Sequence, residues 1–251
     1  MAVVAAADVK KLRELNGAGM MDCKRALEES DGEFDKAVEL LRIKGAKDVG
    51  KREARTASNG LVVAHLVGSD HGVLLELNCE TDFVAKTEGF QSLAADVSSF
   101  VATNQPGDVA ELMAAEVQAD KTNQQLLDEA NMTMGEKIEI RRFARFDSGS
   151  VYVYLHKHGP ALPPSVGALV ELDQDNEELA KGIAQHIAAM SPKYLSREDV
   201  PAETVENERR IAEETAREEG KPEQAISKIV EGRTNGFFKD FCLLEQSYVC
   251  L

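Results

Sequence analysis

The sequence predicts an α+β fold: an N-terminal three-helix module, then two duplicated α+β subdomains with small antiparallel sheets, the second carrying a projecting helical hairpin. A change of pattern and a repeat predict it. Apolar residues recur at helical spacing over residues 8–46, then gather into strand-like runs from residue 61 onward. The run Gly72-Val73-Leu74-Leu75-Glu76-Leu77 returns as Gly167-Ala168-Leu169-Val170-Glu171-Leu172, each ahead of a helical stretch, which reads as an internal duplication. The expected boundaries are 1–56 for the helical module and a basic linker, 57–147 for the first subdomain and 148–251 for the second, with the hairpin at 202–236.

Val9, Leu12 and Leu15 mark a first short helix, which Asn16-Gly17-Ala18-Gly19 breaks. Cys23, Ala26 and Leu27 mark a second. Ser30-Asp31-Gly32-Glu33 has the pattern of a capping box, in which a Ser or Asp oxygen takes early amide protons of the next helix. Phe34, Ala37, Val38 and Leu41 then stand at i, i+3, i+4 and i+7, one apolar stripe, and Gly45 is a natural stop. Three helices in so short a stretch resemble the ubiquitin-associated module, whose small core is only marginally stable alone. From Arg42 to Arg55, the bases Arg42, Lys44, Lys47, Lys51, Arg52 and Arg55 face only Asp48 and Glu53. That strip is either a solvated linker or a basic contact surface.

Leu61–Val67 and Val73–Leu77, joined by Gly68-Ser69-Asp70-His71-Gly72, read as a hairpin. A helix follows with Phe90, Leu93, Ala94, Val97 and Val101 on one side. Val109 to Ala130 is expected to be helical, and Lys137 to Phe146 a third strand with alternating faces. In the second copy the strands are Val151–His156 and Val166–Leu172, joined by a Pro-rich loop over 157–165. Leu179, Ile183, Ile187 and Met190 line up on the helix after them. Two acidic helices are expected at Val205–Glu219 and Pro222–Gly232, with Gly220 and Pro222 as stop and start. Their thin apolar seam (Val205, Ile211, Ala212; Ile226, Ile229, Val230) suggests an antiparallel pair. It is either a plain surface feature or an arm for docking or homodimerisation.

The chain is 43% hydrophobic and 29% charged, with a net charge of -15 and a pI near 4.8. That balance argues against direct nucleic-acid binding, because phosphate recognition needs clustered Lys and Arg; it suits a protein partner. Cys23, Cys79, Cys242 and Cys250 have no C-x-x-C spacing and are too sparse for a disulfide framework, as expected of reduced thiols in a cytoplasm. No apolar run approaches the roughly 18 residues of a membrane span. Over Met1 to Lys11 the charge follows the short apolar stretch, the reverse of a secretory signal. A cytoplasmic protein without membrane contact is expected.

No G-x-x-x-x-G-K-[ST] phosphate cradle and no G-x-S-x-G elbow is present. Gly17-Ala18-Gly19 lies between helices and reads as a turn. His156 and His158 lack a Cys or carboxylate at matching spacing, so no metal or other cofactor is expected. His186 falls on the apolar seam of its helix, the place of a packing histidine. One difference between the copies stands out. Asp82-Phe83 has no counterpart in Asp173-Gln174-Asp175-Asn176-Glu177-Glu178. Phe83 either packs inward beside Phe90, or points outward from a short helical turn over 81–86, since Gly89 weakens helix continuity by about 1 kcal/mol.

The run Asn78-Cys79-Glu80-Thr81-Asp82-Phe83-Val84-Ala85-Lys86 resembles the signature of the elongation factor Ts family. Gly17-Ala18-Gly19-Met20-Met21-Asp22-Cys23-Lys24, Lys36-Ala37-Val38-Glu39-Leu40-Leu41-Arg42-Ile43-Lys44-Gly45, Ile187-Ala188 and the stretch from Gly220-Lys221-Pro222-Glu223 to Glu231-Gly232-Arg233 resemble it too, in the same order. The Leu162-Pro163-Pro164 loop is similar in style to actinobacterial members. The resemblance implies a guanine-nucleotide exchange factor rather than an enzyme: a protein that binds elongation factor Tu in its GDP-bound and nucleotide-free states and releases the GDP. It implies that Thr81, Asp82, Phe83, Val84 and Ala85 form a wedge against the GTPase domain, Phe83 between helices and Asp82 disturbing the magnesium region. It implies that Leu12, Met20 and Met21 dock the helical module, and that His156 and the strand turn at Gly167 touch a distal domain of the partner. A basic segment, a helix and a strand beyond Leu251 are also implied. The residues alone leave another class open, a protein-binding scaffold with a ubiquitin-associated-like head and no exchange activity.

Overall fold

The computed structural model describes residues 4–16, 18–52, 54–118 and 121–249. The chain forms two compact units, Met1–Asp175 and Asn176–Leu251.

The first unit opens with α1 (Ala6–Asn16), α2 (Met20–Glu29) and α3 (Phe34–Arg52). Val9, Leu12, Cys23, Ala26, Leu27, Ala37 and Leu41 form their common core. Asp31 and Gly32 take φ of 51° and 88° to turn the chain, and the Ser30 hydroxyl donates back to the Leu27 carbonyl at 3.3 Å, closing α2. Gly45 does not stop α3, which runs on to Arg52. A side chain at Gly45 would overlap the sulfur of Met132 on α7 (Asn123–Met134), so the glycine marks a close approach of two helices. In the basic strip, Lys44 pairs with Asp22 and Arg55 with Glu80; the side chains of Arg42, Lys47, Lys51 and Arg52 lie outside the described residues.

Next come β1 (Asn59–Val67) and β2 (His71–Cys79), antiparallel with Leu61 opposite Leu77, then α4 (Asp82–Ala85) and α5 (Glu88–Asn104). The single helix expected over 109–130 is instead α6 (Val109–Ala114), two short strands, β3 (Glu116–Gln118) and β4 (Lys121–Thr122), and α7. Caps account for the break. The Asp108 carboxylate accepts from the Glu111 amide at 2.8 Å, and Thr122 with Gln125 forms a reciprocal capping box. Each cap residue sits in extended backbone ahead of its helix. β5 (Glu139–Phe146) then pairs with β2, giving the sheet order β1-β2-β5. Val73, Leu75, Leu77 and Cys79 alternate onto one face of this sheet and are buried in one cluster with Phe90, Leu93, Ala94, Val97 and Val101 of α5.

The opposite face meets β6 (Ser150–His156) and β7 (Val166–Leu172), a two-stranded sheet. The two repeat glycines are the contact points. A Cβ on Gly72 would stand 2.6 Å from Val151 and 3.1 Å from Leu169; a Cβ on Gly167 would stand 2.8 Å from Leu74 and from Val62. Gly72-x-Leu74 and Gly167-x-Leu169 thus reach into each other reciprocally, as the halves of an isologous contact do. Backbone bonds from Val62 to the Pro164 carbonyl and from Val151 to the Ser69 carbonyl, both 2.8 Å, add to the junction. The division expected at residue 148 falls inside this unit, because the stacked sheets hold the second hairpin there.

The second unit comprises α8 (Glu177–Met190), α9 (Ala202–Glu218), α10 (Glu223–Phe241) and a 3-10 turn at Leu243–Glu245. α10 continues past Gly232, its expected end. α9 and α10 turn about Gly220, whose φ is +69°, and bury Ala212, Ala216, Ile226, Thr234 and Phe238. On α8 the buried residues are Ala180, Ala184 and His186, while Leu179 and Met190 are exposed. The inward face is therefore made of two alanines and His186, turned from the line of large residues expected. His186 Nδ1 accepts the Val249 amide proton at 3.1 Å, which leaves Nε2 to donate to Gln246 Oε1 at 3.0 Å. Its ring stacks on Tyr248. Among the described residues no helix is long and apolar enough to cross a membrane.

Candidate partner-binding tip

α4 is a single helical turn, too short to hold its own shape, since helix nucleation fixes several residues for one hydrogen bond. Its ends are fixed from outside. Thr81 Oγ1 accepts from the Val84 amide, and Thr87 Oγ1 accepts from the Phe90 amide, so two threonines cap successive helices. The Thr87 hydroxyl also donates to the Val84 carbonyl at 2.8 Å. Ala85 is buried in the main core and Val84 packs against it. With positions 84 and 85 turned inward, 82 and 83 must face out.

Phe83 is accordingly 77% exposed, while Phe90 is fully buried. The two phenylalanines do not share a face, and the outward alternative for Phe83 is the one found. Asp82 beside it bonds Lys86 Nζ at 2.6 Å, and that bond holds the Asp82 carboxyl below its ordinary range. The same ammonium lies 5.7 Å from the Phe83 ring centroid. The tip thus presents an aromatic ring, a carboxylate and an ammonium together. A cleft of about 520 Å³ opens beside it, lined by Asn59, Val62, Glu76, Asp82, His158 and Pro163 among others.

The strand end that carries the tip is closely bonded. The Cys79 thiol donates to the Thr81 carbonyl at 3.1 Å; burial, then the nearby Glu136 charge, pushes it up to about 11. The Glu136 carboxylate accepts from the amides of Glu80 and Thr81, both at 3.0 Å, and from the Thr81 hydroxyl at 2.5 Å. The Glu80 carboxylate accepts from the Lys137 amide at 2.6 Å. Glu136 carries no local sequence signature. Its sign lies in the strand register: with Leu77 opposite Ile140 and Asn78 opposite Glu139, continuing that register two and three residues further brings 80 and 81 level with 137 and 136.

The other expected contact residues are distributed over the first unit. Met20 and Met21 are 59% and 64% exposed at the start of α2. Leu12 is fully buried in the head core with Cys23 and Leu27, so it has no surface to offer. His156 is exposed at the end of β6, its Nδ1 3.1 Å from the Tyr154 hydroxyl and its ring edge-on to His158. Gly167 lies against Leu74 and Val62; the close stacking of the two sheets accounts for it. Among the described residues no cluster of three or more His, Cys, Asp or Glu could hold a metal ion.

A family model described as Elongation factor TS matches residues 80–250. The chain is 62% identical over 249 residues to the elongation factor Ts of Thermobifida fusca and 63% identical over 250 residues to that of Streptomyces griseus, in each case covering 99% of this chain and 90% of the relative. Against the elongation factor Ts of Mycobacterium bovis the identity is 58% over 249 residues, with 99% and 89% covered.

Proposed function

The chain belongs to the elongation factor Ts family, and from that premise we propose that it releases GDP from elongation factor Tu by pressing the Thr81–Ala85 tip into the GTPase domain. The observation that carries the reading is Phe83, an aromatic ring left exposed at the end of a firmly capped turn. A ring held out at that cost, with its backbone already ordered, is suited to enter a partner without a further ordering penalty. Asp82 supplies a carboxylate next to the ring, which repels phosphate oxygens and competes for the residues around the magnesium ion. Met20 and Met21 give the helical head a soft apolar surface for a second contact, and His156 offers a third on the other sheet. The protein contributes binding energy alone, and the work is done in the cytoplasm. Any factor that binds the empty GTPase better than the loaded one must weaken nucleotide binding by the same ratio.

Release of fluorescent GDP from purified elongation factor Tu, followed by stopped flow, tests this. Wild-type chain should accelerate release, and Phe83→Ala should lose most of the acceleration, as a central aromatic contact usually contributes 2 kcal/mol or more. No acceleration by the wild-type chain would leave a scaffold without exchange activity.

A further inference from the structure

We propose that Glu136 is a positioning residue for exchange: its carboxylate, fifty-five residues downstream of Thr81 in the chain, sets the angle at which Phe83 is presented. The inference rests on the wedge reading above and adds a residue outside the wedge to it.

Every polar group of Thr81 is committed, and Glu136 holds two of them. The Thr81 amide and hydroxyl both donate to Glu136, the Thr81 carbonyl accepts from the Cys79 thiol, and the same hydroxyl oxygen caps α4 through the Val84 amide. The Glu80 amide donates to Glu136 as well. One carboxylate therefore receives three hydrogens from two consecutive residues at the root of the tip, with both of its oxygens accepting. The clip is mutual. The Glu80 carboxylate accepts from the Lys137 amide and from Arg55, and the Glu80 carbonyl accepts from Asn59. Segments 79–81 and 136–137 thus grip each other across the end of the β2–β5 pair.

This matters for Phe83 because α4 is one turn long. Its direction is inherited from the residue that caps it, and that residue is oriented by Glu136. Glu136 itself follows Gly135, the left-handed C-cap of α7 with φ of 77°, so its backbone is fixed by a full helix. Loss of the carboxylate would let the tip turn about residues 80 and 81 while Ala85 remains in the core. Misplacement of about 1 Å can cost up to about 100-fold in a step that depends on orientation.

A kinetic cycle with Glu136→Ala, Phe83→Ala and the double variant tests the proposal, with stimulated release of fluorescent GDP as the readout. Glu136→Gln is run beside them, since it keeps the shape and loses acceptor capacity. Glu136→Ala should slow stimulated release by 10-fold or more, and Glu136→Gln by less. In the Phe83→Ala background, Glu136→Ala should add under 2-fold, because the ring whose angle Glu136 sets is gone and only the smaller Asp82 contribution is left to misplace. Hydrogen exchange should show faster exchange of the Glu80 and Thr81 amides in Glu136→Ala, with the β1–β2 amides unchanged. Equal slowing by Glu136→Ala in both backgrounds, or uniform loss of protection through the sheet, overturns the positioning role and leaves the wedge standing. If Phe83→Ala alone leaves release unchanged, the wedge reading fails first and the proposal falls with it.

Discussion

A phenylalanine left in water forgoes roughly 1.5–3 kcal/mol of burial, and Phe83 does so on a turn where both neighbouring caps and the inward Ala85 are in order. Phe83→Ala should therefore change unfolding free energy by no more than about 0.5 kcal/mol, as expected of a surface site; a urea midpoint shift equivalent to 2 kcal/mol would put the ring in the core. Cys79 gives a second test at this scale. Its thiol is buried, donates to the Thr81 carbonyl and is pushed up to about 11, well above the ordinary thiol range. Below pH 9 both folded and unfolded thiols keep the proton, so ionisation contributes nothing. Above it the unfolded thiol ionises first, so stability falls with rising pH until the native thiol ionises near 11. The difference in urea stability between wild type and Cys79→Ala should narrow over that window, and site-resolved alkylation at neutral pH should leave Cys79 unmodified in the folded protein. Rapid alkylation of Cys79 would show that the strand end opens.

At the scale of elements, local signals and distant ones divided cleanly. Periodicity placed the three head helices, both hairpins and the acidic pair, because amphipathic spacing is written within a dozen residues. Gly45 misled because a glycine near a helix end is a stop signal locally, whereas its role comes from Met132 on another helix. The stretch 109–130 misled because its apolar content is continuous while its break depends on caps at Asp108 and Thr122. The outward direction of Phe83 was legible as one of two alternatives, with the weak link at Thr87-Glu88-Gly89 as the clue. Glu136 was not legible, since its partners are set by β2–β5 register. The resemblance implied partner contacts for Leu12 and Gly167; Leu12 is buried in the head core, and Gly167 lies against Leu74 and Val62. The reciprocal glycine contact makes a specific demand. Gly167→Val should cost about 1–3 kcal/mol by overpacking against Leu74 and Val62, read as a lower urea midpoint; an unchanged midpoint would mean that the sheets can separate freely at that point.

For the whole molecule, the net charge of -15 and the spread of exposed groups over the head, the tip and β6 fit a protein that meets another protein at several places. The residues between the compact units, Asp173, Gln174, Asp175 and Asn176, are exposed, so limited digestion with an acid-specific protease should cut there early and release a fragment ending near residue 175; first cuts inside β2 or α5 would contradict the division. An exchange factor is defined by the difference between its affinities for the empty and the loaded GTPase, and a coupling of about 3 kcal/mol corresponds to roughly 150-fold. Calorimetric titration of the chain into nucleotide-free and into GDP-loaded elongation factor Tu measures that difference directly. Binding should be tighter to the nucleotide-free form by about 100-fold or more, matched by an equal weakening of GDP affinity, with Phe83→Ala bringing the ratio toward one. Equal affinities for the two forms would mean that the chain binds elongation factor Tu without driving exchange.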